Sequence, residues 1–154
     1  MNLTIRKAVE KDFPAILSLI KELASFQGLQ EKVLNSVEQM KADREIFQCF
    51  LAENENREII GMASYFFAYY TWVGKSLFLD DLYVKETYRG QKAGSMLLEK
   101  IFEVARLENC NRIRWLVSDW NKPAIAFYKK IGATIDEEIF VCDLEGKAMQ
   151  QVKI

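Results

Sequence analysis

The sequence predicts an α/β (α+β) protein whose mixed sheet contains one βαβ unit. Three observations carry that prediction. Several short apolar runs, some alternating with polar residues, are bounded by turn-forming residues as strands are. Two longer segments repeat their apolar residues at helical spacing. And the strand-like run Ser76 to Val84 feeds through a short glycine-containing loop into a helix, with a further strand at Ile113 to Val117.

The elements follow in order. Leu3 to Ala8 alternates, and Asp12 then precedes Phe13, Ile16, Leu19, Ile20 and Leu23, which predicts a strand and a helix N-capped by Asp12, with Pro14 tolerated in its first turn. A weaker helical pattern covers Ser36 to Asp43. Phe47 to Glu53 and Glu58 to Tyr70 read as an antiparallel hairpin turning at Asn54-Glu55-Asn56. After the loop, Leu97, Leu98, Ile101, Val104 and Ala105 mark one buried helix face. Asn121 sits at the N-cap position of a short helix carrying Ala124, Ile125, Phe127 and Tyr128, and Gly132 closes it. A last strand is expected at Thr134 to Asp143. With no repeat, low-complexity tract or linker, residues 1–154 read as a single domain.

Composition narrows the chemistry. The 21 Lys and Arg nearly cancel the 22 Asp and Glu, and the basic residues form no extended stripe, so no nucleic-acid partner is expected. No apolar run approaches the ~20 residues of a membrane span, and Met1 to Arg6 lacks the apolar stretch of a signal peptide. The expectation is no membrane and a cytoplasmic location. Cys49, Cys110 and Cys142 are odd in number and far apart, which reads as reduced thiols and no metal site. The absence of histidine removes Ser-His and Cys-His nucleophiles, His-ligated zinc and histidine bases together. Proton transfer is left to carboxylates, Tyr, Lys or water held by the backbone.

Between the strand and the central helix lies Lys85-Glu86-Thr87-Tyr88-Arg89-Gly90-Gln91-Lys92-Ala93-Gly94-Ser95. Free N–H groups and the dipole at a helix start favour phosphate, glycines allow close approach, and Arg89 and Lys92 add charge. Taken alone, the loop serves equally well as a βα turn with solvated cations. It is neither a nucleotide P-loop, which needs Gly-Lys-Ser/Thr, nor a Rossmann fingerprint.

Three blocks in order decide between these readings: Phe78-Leu-Asp-Asp-Leu-Tyr-Val84, Tyr88-Arg-Gly-Gln-Lys-Ala-Gly-Ser95 and Asp119-Trp-Asn-Lys-Pro-Ala-Ile-Ala-Phe-Tyr128 resemble the GNAT acetyltransferases. More narrowly they are similar to the diamine (spermidine/spermine) branch. Ile5-Arg6, Leu19 to Ala24, Tyr65 to Trp72 with Gly74-Lys75, and Phe127 to Ala133 extend the resemblance over nearly the whole chain. It departs at Lys92, where the family loop has its second glycine, and at Gln27 and Tyr70, where diamine members carry acidic residues. Tyr70-Thr71-Trp72 is closer to the thialysine-acetylating relatives.

The resemblance implies a mostly antiparallel sheet that splays around acetyl-CoA, flanked by helices, and acetyl transfer to a small primary amine. It implies cofactor contacts from the backbone of Leu82, Tyr83 and Val84, from Arg89, Gly90, Gln91, Lys92, Ala93, Gly94 and Ser95, and from Asn121 and Tyr128. Deprotonating an alkylammonium calls for a carboxylate, directly or through water. Asp80 matches the family's strand carboxylate, with Asp81 second. Simple alternation puts the two on opposite faces unless a bulge re-aims one; as plain sheet residues they would be a solvated edge or an ion pair. Tyr128, protonated at neutral pH, is the implied acid for the departing thiolate, though outside this family it would read as a helix packing residue. Gln27, Tyr70, Trp72, Asp80 and Asp81 are the expected acceptor contacts, the rest of the aromatic run being core and hairpin surface. Trp115 and Trp120 read as packing residues, and Lys129 and Lys130 as helix-end charges with a second role near the 3′-phosphate. The resemblance further implies a homodimer, using Thr134 to Asp143 and the tail Val152 to Ile154. The competing function is a non-catalytic acyl-CoA sensor with the same fold.

Overall fold

Five strands form one sheet in chain order: β1 (Thr4–Lys7), β2 (Gln48–Glu53), β3 (Ile59–Tyr70), β4 (Gly74–Val84) and β5 (Arg112–Arg114). Neighbours are antiparallel except β4 and β5, which run parallel as a βαβ crossover requires. The computed structural model describes residues 2–153, in two compact units that divide between Leu116 and Val117. Met1, and the tail residue Ile154, lie outside the described residues.

In the first unit, α1 (Phe13–Phe26) and α2 (Val37–Ala42) lie on one face of the sheet and α3 (Ala93–Leu107) on the other. Phe13, Ile16 and Leu19 of α1 pack on Leu51, Met62 and Tyr83. Leu97, Leu98, Ile101 and Ala105 of α3 pack on Ile60, Ala63, Leu77 and Leu79. Each fully buried aliphatic side chain here is worth about 1.5–3 kcal/mol in removed apolar surface. Asn54 shapes the β2–β3 turn, its Oδ1 accepting the N–H groups of Asn56 and Glu58. Tyr65 is core, whereas Phe67 and Tyr69 are exposed on the hairpin. Trp115 packs against the α3-side core, but Trp120 is 54% exposed.

Three expectations are corrected. Asp12 does not cap α1: it ends a 3₁₀ turn, and its buried carboxylate takes both Arg6 guanidinium donors (2.7 and 2.9 Å) and the Val9 N–H (2.8 Å). A charged partner outcompetes the helix start for those oxygens. The strand expected to reach Val117 stops at Arg114, because β4 pairs with it only over Ser76–Phe78. No strand forms over Thr134 to Asp143. In the second unit, which holds α4 (Lys122–Lys130) and α5 (Gly146–Gln151), no other strand is present among the described residues to accept its ladder, and Ile139 and Phe140 are 72% and 87% exposed. The short helix α5 had no periodic signal.

Arg6 also bonds Glu53 (2.7 Å), so one guanidinium ties β1, β2 and the entry to α1 together. Hydrogen bonding from Arg6 holds the Asp12 carboxyl below its ordinary range. Asp12→Ala is expected to cost about 2–3 kcal/mol in denaturant unfolding, below the fully buried limit because Arg6 keeps 31% of its surface in water. A folded-state pKa lower than the unfolded one stabilises above the unfolded value of about 4, so this contribution should be lost as pH falls below 4, in the wild type only.

Candidate active site

The site is organised by one extra residue in β4. Ser64 stands opposite Asp81 and Tyr65 opposite Leu79, which leaves Asp80 unmatched as a β-bulge. The core shows what this does to the faces. Leu77 and Leu79 pack on the α3 side, and so do Leu82 and Val84, whereas Tyr83 packs on the α1 side. Alternation has therefore slipped by one residue between Leu79 and Leu82. Asp80, in step with Phe78, and Asp81, in step with Tyr83, share the α1 face.

Ser64, buried on β3, serves both sides of the bulge: its hydroxyl accepts the Asp81 N–H (3.1 Å) and donates to the Asp81 carboxylate (3.3 Å). Burial pushes the Asp81 carboxyl up to about 6, the Asp80 charge adds to the rise, and the Ser64 hydrogen bond opposes it. Asp80 keeps a face in solvent, but protein crowding its carboxyl still raises its pKa by desolvation. Both carboxylates are therefore more basic than ordinary ones.

Beyond Phe78 the outer edge of β4 carries no strand among the described residues, so it is open as far as Val84, whose carbonyl Arg89 takes. The chain then makes a 3₁₀ turn (Glu86–Tyr88), runs extended through Arg89, and turns at Gly90 (φ 76°) and Lys92 (φ 69°) into α3. Lys92 thus occupies the left-handed conformation that glycine adopts freely, at a cost of about 1–2 kcal/mol for a residue with a Cβ. No side chain caps α3, so its first N–H groups, at Ala93, Gly94 and Ser95, have no partner within the helix. Gln91, Lys92 and Ser95 are exposed, and Ala93 is buried.

Arg89 is folded against the protein. Its Nε donates to the Val84 carbonyl (3.1 Å), and its guanidinium lies over the rings of Phe26 (4.6 Å) and Tyr83 (5.7 Å). The Tyr83 hydroxyl donates to Glu22 (3.4 Å), so the C-terminal end of α1, including the exposed cap residue Gln27, adjoins the loop. Tyr70, half-buried at the end of β3, has Arg112 (5.4 Å) and Arg114 (4.6 Å) against its ring. Trp72 is not brought to these residues by packing; its ring is 94% exposed in the β3–β4 turn.

In the second unit, Asn121 caps α4, its Oδ1 accepting the Ala124 N–H (3.4 Å), and Gly132 (φ 94°) ends the helix. Tyr128 is half-buried, and desolvation pushes its phenol up, which keeps it protonated at neutral pH. A shallow depression of about 440 Å³ in this unit is lined by the consecutive residues Thr134 to Glu138, the inside of one loop rather than a built cavity. Among the described residues no group of three Cys, Asp or Glu is placed to hold a metal ion, and no described helix is long and apolar enough to cross a membrane.

Sequence reasoning missed Ser64, Glu22, Phe26, Arg112 and Arg114. Ser64 is a small polar residue inside an apolar strand, a pattern without period. Arg112 and Arg114 flank Ile113 in strand alternation, a pattern from which their shared face could have been read.

Residues 13–133 match the acetyltransferase (GNAT) family model. The chain is 37% identical to the thialysine N-epsilon-acetyltransferase of Sus scrofa, over 98% of this chain and 97% of that protein. It is 34% identical to the human spermidine/spermine N(1)-acetyltransferase-like protein 1, over 84% of this chain and 20% of that protein. The fold matches a predicted acetyltransferase from Clostridium acetobutylicum, solved with acetyl-CoA, at a TM-score of 0.76 and 22% identity over 93% of this chain and 97% of that one.

The causes of the Asp81 shift give a signed test by carboxyl NMR titration. Asp80→Asn removes a neighbouring charge and should lower the Asp81 pKa from about 6, whereas Ser64→Ala removes a hydrogen bond to the carboxylate and should raise it. Unchanged values in both variants would mean the two groups do not share a face.

Proposed function

Because this chain belongs to the acetyltransferase (GNAT) family and is an N-acetyltransferase, we propose that it moves acetyl from acetyl-CoA to the primary amine of a small molecule. The acceptor is a diamine, a polyamine or a lysine-like amine, and attack is direct, within a ternary complex. The observation that carries this reading is the β4 bulge, which sets two desolvated carboxylates on one face where the strand edge opens beside an uncapped helix start. The names of the pig and human relatives, which act on thialysine and resemble a spermidine/spermine enzyme, support an amine acceptor.

Bound acetyl-CoA supplies the thioester that the amine attacks. The N–H groups of Ala93, Gly94 and Ser95, with Arg89, Gly90, Gln91 and Lys92 around them, hold its pyrophosphate. The open backbone of Leu82, Tyr83 and Val84 and the side chain of Asn121 hold the pantetheine arm. Asp80 takes the ammonium proton, directly or through water, with Asp81 beside it keeping the pair basic. As the N–C bond forms and the C–S bond breaks, Tyr128 gives its phenolic proton to the sulfur. Gln27, Tyr70 and Trp72 contact the acceptor.

The proposal takes residues 1–154 as one acetyltransferase domain, since the family match runs across both units. It places the protein in the cytoplasm, where Cys49, Cys110 and Cys142 stay free thiols. It also includes a homodimer, supported by the exposed Ile139, Phe140 and Val141 and by Val152. Light scattering should give twice the chain mass at micromolar concentration; a monomer throughout would remove this part alone.

Thiol release from acetyl-CoA against a panel of amines tests the chemistry. Tyr128→Phe keeps the ring and deletes the proton donor, so turnover should fall by about 100-fold or more while acetyl-CoA affinity, by calorimetry, stays within about twofold. The loss in Asp80→Asn should shrink as pH rises and the amine deprotonates unaided. Acetyl-CoA binding with no thiol release from any amine would return the chain to the acyl-CoA sensor reading.

A further inference from the structure

On the α1 face of the sheet, Asp80 and Asp81 mark only one end of a continuous strip. Next to them Phe66 and Phe78 stack, with centroids 5.1 Å apart and planes 18° from parallel, and both rings are half-buried, leaving an apolar surface open. Past these rings comes Tyr70, in step with Phe66 and Ser64 on β3 and therefore on the same face. Ile113 packs into the α3-side core, which turns its neighbours Arg112 and Arg114 to the α1 face as well. Their guanidinium groups lie against the Tyr70 ring, and among the described residues neither is in ion-pair range of a carboxylate. The aromatic ring orients both forks without using their N–H donors.

We propose that Arg112 and Arg114, held by Tyr70, bind a carboxylate at the far end of the acceptor, so that the enzyme selects an amine whose stem ends in an acid group and rejects di- and polyamines. The inference rests on the acetyl-transfer reading above and deepens it. Charge runs from negative at Asp80–Asp81, across an apolar floor at Phe66–Phe78, to positive at Arg112–Arg114. A zwitterionic amine with an apolar stem matches that order, whereas a diamine brings its second ammonium to two arginines and is repelled.

Lysine and 1,5-diaminopentane offer the same terminal amine and the same stem and differ only in the carboxylate, so the ratio of their kcat/KM values reads this contact alone. The wild type should favour lysine at least tenfold. In Arg112→Gln/Arg114→Gln that ratio should fall ten- to hundredfold, the range expected for charge-assisted hydrogen bonds to a carboxylate, through KM more than kcat. Arg114→Glu should turn the preference toward the diamine, and Arg114→Lys, which keeps the charge but loses the fork, should give an intermediate ratio. Melting curves with saturating acetyl-CoA identify any variant that fails to fold; the wild-type ratio and the remaining variants still decide. A wild type that uses the diamine as well as lysine, or a ratio indifferent to the arginines, overturns the inference and leaves acetyl transfer standing. Wild-type protein that binds acetyl-CoA but releases no thiol with either amine overturns both.

Discussion

One unmatched residue in β4 controls the arrangement of everything around it. A bulge adds a residue to one strand only, so the side-chain alternation on either side of it falls out of step while both halves still bury apolar residues. The cost is that Asp80 is left out of the ladder and the regular pairing is disturbed beside it, and the Ser64 hydroxyl offsets this by accepting the neighbouring Asp81 N–H. Without the bulge, one carboxylate would face α3 and either be buried in its core or be excluded from it. With it, two acidic groups lie side by side on one face, where desolvation raises the basicity of both and the Asp80 charge raises that of Asp81 further.

A second bulge works on the same sheet one strand away. The β2–β3 register slips between Ala52 and Glu53, and Gly61 sits so near β4 that a Cβ there would come within 2.8 Å of the Tyr83 carbonyl. Close approach at Gly61 holds the C-terminal half of β4 against β3 on its inner side while the outer edge stays open. The open edge is thus built by tight packing on its other side rather than by looseness. Arg89, bonded to Val84 and stacked on Phe26 and Tyr83, then links that edge to the end of α1.

Lys92 shows how a motif can lose a residue and keep its shape. The family loop has glycine there because the backbone must turn left-handed before the helix begins. This chain makes a left-handed turn with a lysine (φ 69°), and α3 then opens with no side-chain cap. The backbone path is set by the flanking 3₁₀ turn and by the buried Ala93, which together outweigh the local strain.

By itself the sequence determined the order of elements from β1 to α4, the buried faces of α1 and α3, the Asn54 turn, the Asn121 cap and the family, because each rests on local periodicity, capping chemistry or a motif of adjacent residues. Asp12 misled for a physical reason: cap preference is local, and Arg6 on β1, itself held by Glu53 on β2, claimed its carboxylate instead. The run Thr134 to Asp143 misled likewise, since alternation shows only that a strand would have two faces and not that a neighbouring edge exists to pair with it. Only the tertiary structure decided that Asp80 and Asp81 share a face, that Ser64 holds the bulge, and that Tyr70 gathers Arg112 and Arg114. Those facts depend on the register between strands far apart in sequence, and register is set by how whole faces bury, which no single segment encodes.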